Sequence, residues 1–186
     1  MMLPSGNDAA FCMAKYFGKF LFTKKGYDER HKKRIRSFEF DDHGSHVKYF
    51  LKEMNEIASH LKMANTNWDS PHGMGNRENM TSASDLFKLC EKAMYVPLLR
   101  EIMAKKVYSC NAMKEEEDGR YVYSHSQYTW INMTRLLGVD GIIGMKPGWT
   151  PAASHCLAIN YEKDDHTFIV VTIQSKSKFP LWTEIQ

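Results

Sequence analysis

The sequence predicts an α+β fold, with helices in the first part of the chain and neighbouring strands in the last part. Apolar residues recur at helical spacing up to about residue 105, and apolar β-branched runs replace them from residue 106 onward. The last two runs are joined by a short polar turn, which favours an antiparallel sheet. At 186 residues, 43% of them hydrophobic, the chain has the length and composition of one domain, with a helical part at 1–105 and a sheet part at 106–186.

Two amphipathic helices are predicted in the first third of the chain. The first follows Asp8 and ends at Gly26, and its apolar stripe comprises Ala10, Met13, Phe17, Phe20 and Leu21. The second has the clearest periodicity in the chain, and Ser45 is its predicted N-cap. Its stripe comprises Val47, Phe50, Leu51, Met54, Ile57, Ala58 and Leu61. Because such a stripe normally packs into a core, it predicts no function.

Turn chemistry separates these helices from two shorter ones. Residues 65–79 are rich in Asn, Gly and Pro and are predicted to form a loop, in which His72 makes structural hydrogen bonds rather than catalysing a reaction. Ser82, followed three residues later by Asp85, has the spacing of a capping box and predicts a helix start. Pro97 suits the first turn of another short helix.

Short strands are predicted from Val107 onward, where the periodicity changes. The predicted strands are 107–110, 120–123, 156–161 and 167–173, and the run 141–145 leads into Lys146-Pro147-Gly148, just before a predicted edge strand. Asp164 and Asp165 suit the tight turn of a hairpin between the last two strands.

Composition and charge exclude several classes of protein. The formal net charge of +3 is too small for a dedicated polyanion binder. The basic stretch Lys24–Arg36 has acidic residues in and beside it, so we expect a solvated loop there and no nucleic-acid partner, with an anion-binding surface as the alternative. No apolar run approaches the length of a transmembrane helix.

The cysteines predict neither a metal site nor a disulfide framework. Cys12, Cys90, Cys110 and Cys156 are widely spaced, and the eight histidines are scattered. Buried or half-buried thiols are therefore predicted, and no cofactor is expected.

Two short segments carry side chains suited to catalysis. Ser5-Gly6-Asn7 presents a hydroxyl and an amide two residues apart at a helix start. Lys146-Pro147-Gly148 presents an ammonium beside a strand in which glycine lets another backbone approach. Either pattern alone occurs by chance in most chains of this length, but their flanks extend the two matches to residues 2–10 and 141–153.

These stretches resemble the serine-type D-alanyl-D-alanine carboxypeptidases of peptidase family S11, which are low-molecular-weight penicillin-binding proteins of the serine β-lactamase-like superfamily. Residues 2–10 resemble the family's S-x-N segment, and residues 141–153 resemble its K-T-G segment and the strand that follows. Segments at 54–55, 61–63, 70–74, 81–86 and 132–138 follow the family's order. The resemblance implies a helical region packed on an antiparallel sheet, without the family's N-terminal strands and central helix.

The resemblance also implies roles for individual residues. Ser5 matches the serine that relays a proton between the active-site lysine and the leaving amine, and Asn7 matches the amide that holds the substrate backbone and that lysine. Lys146 matches the cation that supports the relay and attracts the substrate's terminal carboxylate. The implied substrate is a peptide ending in D-Ala-D-Ala or similar. Its implied binding residues are Lys146, Gly148, Trp149 and Thr150, with the backbone N–H of Trp149 as one oxyanion-hole donor.

Two departures from the family pattern bear on activity. No S-x-x-K, which supplies the family's nucleophilic serine and lysine base, precedes Ser5. The pattern occurs later in the chain, at 45–48, 59–62 and 175–178, and the last of these follows the last strand. Pro147 replaces the Thr or Ser of K-T-G and brings neither a hydroxyl nor an N–H. This replacement predicts weaker carboxylate binding or altered specificity, unless Thr150 substitutes.

The missing nucleophile leaves two interpretations. The chain is either an N-terminally truncated fragment of a serine carboxypeptidase that forms an acyl-enzyme, or a non-catalytic member that retains a cleft for peptide or cell-wall ligands. In both cases β-lactams react only if the missing nucleophile is present. The family is usually exported, but no signal peptide is recognisable in this sequence, so the compartment stays open.

Overall fold

The computed structural model describes residues 1–24, 42–74 and 77–176. Within these ranges the chain forms four helices, α1 (Asn7–Lys24), α2 (Asp42–His60), α3 (Ala83–Met94) and α4 (Pro97–Ala104). Five strands follow: β1 (Val107–Glu115), β2 (Tyr121–Ile131), β3 (Ile142–Thr150), β4 (Ser154–Lys163) and β5 (His166–Ser175). The predicted α+β class is confirmed. The predicted helix end at Gly26 and nearly all of the basic stretch lie outside the described residues.

Helices α1 and α2 pack closely against each other. Gly18 lies at their contact, where an added Cβ atom would come within 1.9 Å of the carbonyl oxygen of His46, so glycine is required for this approach. The predicted N-cap at Ser45 is wrong, because Ser45 lies inside α2. The apolar stripe of α2 begins only at Val47, so its periodicity carries no information about the polar turn before it.

The start of α3 is built as the sequence predicts. The side chain of Ser82 accepts a hydrogen bond from the backbone N–H of Asp85 at 3.2 Å. The buried carboxylate of Asp85 accepts bonds from the N–H of Asn65, the hydroxyl of Thr66 and the ammonium of Lys88. Burial alone would raise the pKa of Asp85, but these hydrogen bonds outweigh it and lower that pKa. The network holds the loop after α2 against α3.

The strands of the described ranges form two antiparallel sheets. Strand β1 pairs with β2, and β3, β4 and β5 form a second sheet in chain order, with β3 at one edge. The strands are longer than predicted, and Lys146 lies inside β3 rather than before a strand. Asp164 and Asp165 form the predicted turn between β4 and β5, with φ of 51° and 61°, as a type I′ turn requires.

The core lies on the three-stranded sheet. Its buried members are Leu136, Ile142, Leu157 and Ile159, with Tyr161 packed against them. Helix α3 contacts β5, and α4 contacts β3. The approach of α4 depends on Gly144, where an added Cβ atom would lie 2.4 Å from the carbonyl oxygen of Met103. None of the helices in the described ranges combines the length and apolar character needed to cross a membrane.

The cysteines are free thiols, and three of them have the predicted burial. Cys90, Cys110 and Cys156 are half-buried, whereas Cys12 is exposed, contrary to prediction, because it lies on a part of α1 that faces solvent. Burial raises the pKa of the Cys90 thiol to about 11, which makes it unreactive at neutral pH. No group of three or more potential metal ligands occurs within the described residues.

Candidate active site

The turn before α1 holds Ser5 in a rare backbone conformation. The φ angle of Ser5 is 57°, in the left-handed region that few residues other than glycine adopt. The N–H of Gly6 donates to the carbonyl oxygen of Met1 at 3.0 Å and closes the turn. Helix α1 then begins at Asn7. Backbone conformations of this kind are concentrated at functional sites, where the surrounding structure compensates their cost.

Lys146 reaches this turn from the middle of β3. Its Nζ donates a hydrogen bond to Oγ of Ser5 at 2.8 Å, although the two residues are 141 positions apart in the sequence. A second bond, of 2.5 Å, runs from Nζ to the carbonyl oxygen of Pro147. The pairing of β3 with β4 is irregular between Ile142 and Gly144, and Met145 has a φ of 126°. Such an irregularity re-aims the side chains that follow it.

Burial changes the acid–base properties of Lys146. Desolvation lowers its pKa from 10.5 to about 8. The ion pairs found within the described residues do not include Lys146, so no carboxylate offsets this desolvation. The side chain is mostly an ammonium at pH 7 and still has an accessible neutral form, so it can both hold charge and exchange a proton.

A cavity of about 1020 Å³ opens beside Ser5 and Lys146. Five parts of the chain line it: the N-terminal turn with Asn7, the loop 72–74, the segment 131–135, the stretch 146–150 of β3 and the stretch 155–157 of β4. A volume of this size accommodates a short peptide. Asn7 is exposed and lines this cavity, but it makes no hydrogen bond to Ser5 or Lys146. The fold therefore brings Ser5 and Lys146 into contact and Asn7 into the same cavity.

The other sequence-predicted binding residues lie along the edge strand β3. Gly148, Trp149 and Thr150 all line the cavity. The side chain of Trp149 is 61% exposed, and its ring centroid lies 6.3 Å from that of His155. Oγ1 of Thr150 accepts a hydrogen bond from the N–H of Ala153 at 3.0 Å, which leaves the hydroxyl proton of Thr150 available for donation.

Asn132, to which sequence reasoning assigned no role, ties the end of α4 to the site. Its Nδ2 donates to the carbonyl oxygens of Met103 and Lys105, at 3.1 and 3.0 Å. Its Oδ1 accepts the N–H of Thr134 at 2.8 Å. These bonds satisfy two carbonyl groups at the C-terminal end of α4, which would otherwise lack partners within the helix.

The residues that follow Asn132 join the two halves of the site. The N–H of Met133 donates to the carbonyl oxygen of Leu3 at 3.0 Å, just before Ser5. The hydroxyl of Thr134, which is 2% exposed, donates to the carbonyl oxygen of Met145 at 3.3 Å, just before Lys146. The segment 132–134 therefore fixes the N-terminal turn relative to β3. In the sequence, the one signal for this segment was that residues 132–138 occupy the expected place in the family's order of segments.

The loop after α2 forms another part of the cavity wall. Asn55 accepts the N–H of Trp68 and donates to its carbonyl oxygen, each at 2.8 Å, which fixes the start of the loop. Nδ1 of His72 accepts the N–H of Met74 at 3.1 Å, a structural bond of the kind predicted. Ser175, the serine of the last S-x-x-K in the sequence, ends β5 and is not among the residues that line the cavity.

Comparison with known protein families gives a direct match. A family model for D-alanyl-D-alanine carboxypeptidases matches residues 42–177, a range that includes Lys146 but neither Ser5 nor Asn7. The D-alanyl-D-alanine carboxypeptidase of Streptomyces sp. (strain K15) is 29% identical over 178 residues, which are 95% of this chain and 53% of that protein. For the D-alanyl-D-alanine carboxypeptidase DacF of Bacillus subtilis (strain 168), identity is 24% over 174 residues, 91% of this chain and 34% of the relative. The chain thus spans about half, or less, of these relatives.

Solved structures have the same fold. The crystal structure of the Streptomyces K15 DD-transpeptidase superposes with a TM-score of 0.75 at 29% identity, covering 95% of this chain and 58% of that one. A D-alanyl-D-alanine carboxypeptidase from Mycobacterium tuberculosis H37Rv gives a TM-score of 0.57 at 22% identity, covering 70% of this chain and 47% of that one. The second similarity concerns the fold alone.

Proposed function

This chain belongs to the D-alanyl-D-alanine carboxypeptidase family, and we propose that it carries the proton-relay and substrate-binding part of a serine peptidase acting on peptides that end in D-Ala-D-Ala. The observation that carries the proposal is the 2.8 Å hydrogen bond from Nζ of Lys146 to Oγ of Ser5 at the wall of a peptide-sized cavity. A partly desolvated cation hydrogen-bonded to a hydroxyl is the arrangement that a proton relay needs.

The proposed reaction is acyl transfer to a serine supplied by an S-x-x-K segment. The serine oxygen attacks the carbonyl of the penultimate D-Ala, and its proton passes to the lysine base. The C–N bond to the terminal D-Ala breaks, and a proton reaches the departing amine. Water then attacks the acyl-enzyme and releases the shortened peptide, which restores the serine.

Ser5 and Lys146 would act in the protonation of the departing amine. Because Oγ of Ser5 accepts a hydrogen bond from the Lys146 ammonium, the hydroxyl proton of Ser5 is free to be donated towards the amine. The ammonium stabilises the negative charge that develops on oxygen as this proton leaves. The low pKa of Lys146, about 8, makes proton exchange between the two groups easier.

The substrate would lie along the edge of β3. Asn7, Gly148, Trp149 and Thr150 line the cavity and offer donors for a peptide backbone, and the N–H of Trp149 would contribute to an oxyanion hole. The peptide is of the peptidoglycan type, as the family name implies. We further propose that residues 1–186 form a single partial domain whose helical part, 1–105, ends where α4 does and whose sheet part, 106–186, begins with β1.

A non-catalytic binding module is the second candidate. It is favoured by the positions of the S-x-x-K patterns in the sequence, since all of them follow Ser5 and Ser175, the serine of the last one, does not line the cavity. The reading frame upstream of Met1 separates the two candidates, since an in-frame S-x-x-K there supplies the nucleophile. A longer polypeptide with that segment should be acylated by a fluorescent penicillin, whereas the chain 1–186 should not, and labelling of 1–186 would contradict this account of the nucleophile.

Peptide binding to the chain 1–186 tests the proposal directly. We expect N-acetylated L-Lys-D-Ala-D-Ala to bind in isothermal titration calorimetry and to shift the NMR signals of residues around the cavity. The all-L peptide is the matched control, because it has the same composition and charge. Absence of binding, or equal affinity for the two peptides, would contradict the proposed function.

A further inference from the structure

Arg135 is a cation of the cavity wall that the roles described above do not use. It lines the same cavity as Lys146, Trp149 and Thr150. Its side chain is exposed, and it forms no hydrogen bond, ion pair or ring contact with another residue of the described ranges. The guanidinium is therefore available to a ligand in the cavity.

The backbone that carries Arg135 is held on both sides. Thr134 is 2% exposed, and its hydroxyl donates to the carbonyl oxygen of Met145, immediately before Lys146. Leu136, on the other side, is 6% exposed and belongs to the core of the sheet. Arg135 thus projects from a fixed point beside the strand that carries Lys146. A cation on a fixed backbone loses less entropy on binding than one on a free loop.

Strand β3 itself is short of donors for a carboxylate. Pro147 occupies the position at which a hydroxyl is expected, and it has neither a hydroxyl nor an N–H. Lys146 uses two of its three N–H donors in hydrogen bonds to Oγ of Ser5 and to the carbonyl oxygen of Pro147. Two carboxylate oxygens would find one remaining lysine N–H and the hydroxyl of Thr150. A guanidinium can donate to both carboxylate oxygens at once and therefore supplies the hydrogen-bond donors that β3 lacks.

We infer that Arg135 binds the terminal carboxylate of the peptide and takes the place of the hydroxyl that Pro147 lacks, with Thr150 as a second donor. The inference rests on the proposed function, since it concerns the same cavity and the same class of peptide. It specifies that the cavity selects peptides with a free C-terminal carboxylate, and that the selectivity depends on residue 135.

The test compares N-acetylated L-Lys-D-Ala-D-Ala with its C-terminal amide on the chain 1–186, by isothermal titration calorimetry. We expect the acid to bind about tenfold or more tightly than the amide, the range for a charge-assisted bidentate bond. Arg135→Gln should weaken binding of the acid about tenfold, and so remove most of its advantage over the amide, while the affinity for the amide stays unchanged. Arg135→Lys should retain part of the preference.

Arg120→Gln is the matched control. Arg120 pairs with Asp118 between β1 and β2 and is not among the cavity residues, so this variant should bind both peptides like the original chain. If Arg135→Gln leaves the affinity for the acid unchanged, or weakens acid and amide equally, the inference is wrong and the proposed function stands. If neither D-peptide binds the original chain, the proposed function fails and the inference fails with it.

Discussion

The two antiparallel sheets have similar strand lengths and opposite environments. In the pair β1–β2, no described side chain is buried, and Ile131 is 68% exposed. In the sheet β3–β5, Ile159 is 0% exposed, and helices α3 and α4 contact the edge strands. Both sheets pair along most of their length. A ladder of backbone hydrogen bonds therefore forms in either environment. Of the two sheets, the packed one carries the partly desolvated cation of the candidate active site, Lys146.

The largest expected difference between the sheets is in stability. Ile159→Ala should lower the free energy of unfolding by about 2–5 kcal/mol, because it leaves a cavity in the packed sheet. Ile131→Ala makes the same change in the exposed pair and should cost less than about 1 kcal/mol. Urea unfolding followed by circular dichroism measures both values. Equal losses would show that the two sheets do not differ in packing.

Peptide binding should distinguish two strand lysines. Lys146→Met removes the half-buried ammonium and should weaken binding of N-acetylated L-Lys-D-Ala-D-Ala by roughly tenfold to a hundredfold, the range for a hydrogen bond to a charged group. Lys114→Met, in β1, removes an exposed ammonium that does not line the cavity and should leave the affinity within about twofold. Calorimetric titration of the two variants gives the comparison. Unchanged binding by Lys146→Met would contradict the site.

The pH dependence of binding should follow the charge of Lys146. Its pKa of about 8 predicts that affinity for the acid peptide is constant below about pH 7 and falls as the pH rises through 8, because the ammonium loses its proton. In Lys146→Arg the side chain stays charged, so this fall should disappear. Titrations between pH 6 and 10 on both proteins provide the measurement, and a fall that persists in the variant would assign it to another group.

The pKa of Lys146 also predicts how the stability of the fold depends on pH. The free energy of unfolding should rise with pH, whereas the affinity for the peptide falls. Between pH 8 and 10.5 the unfolded chain binds the lysine proton and the folded chain does not, so this lysine makes the free energy of unfolding rise with pH in that window. This contribution of Lys146 to the free energy of unfolding is fully present above pH 10.5, the pKa of the lysine in the unfolded chain. It is lost as the pH falls through about 8, the pKa in the folded chain. Lys146→Met should remove this part of the slope, whereas Lys114→Met should retain it. Equal slopes in the two variants would argue against desolvation of Lys146.

The smallest expected difference concerns two hydroxyl groups. Thr134→Val removes the buried donor to Met145 and should cost about 1–2 kcal/mol, since it leaves a carbonyl oxygen without its partner. Ser109→Ala removes an exposed bond of 2.7 Å to Thr129 in the pair β1–β2, where water replaces the lost partner. Its cost should be below about 0.5 kcal/mol. Thermal unfolding resolves a difference of this size, and a larger cost for Ser109→Ala would reverse the comparison.

Local signals in the sequence predicted the local structure. Ser82 and Asp85 define a helix start through their spacing, and Asp164 and Asp165 define a turn through their tolerance of positive φ. Ser45 failed as an N-cap because a polar residue before an apolar stripe is also compatible with a helix interior. The sequence did predict Ser5, Asn7 and Lys146 as candidates, but through family resemblance and not through spacing.

The hydrogen bonds that residues 132–134 make across the site could not be predicted from local patterns in the sequence, for a physical reason. Its bonds join Met133 to Leu3 and Thr134 to Met145, so their partners are set by the tertiary fold and not by neighbouring residues. The same holds for the separation into two sheets, because the pairing of the strands is also set by the tertiary fold. Burial by α3 and α4, which decides between them, is not encoded in either strand alone.

The central claim is that the half-buried ammonium of Lys146 donates a hydrogen bond to Ser5, and NMR of this one side chain tests it most directly. In a chain labelled with 13Cε-lysine, with the signal assigned by Lys146→Arg, a pH titration should give a pKa near 8. Ser5→Ala should lower that pKa further, because it removes a hydrogen bond that stabilises the ammonium. A pKa near 10.5 that Ser5→Ala leaves unchanged would contradict the claim.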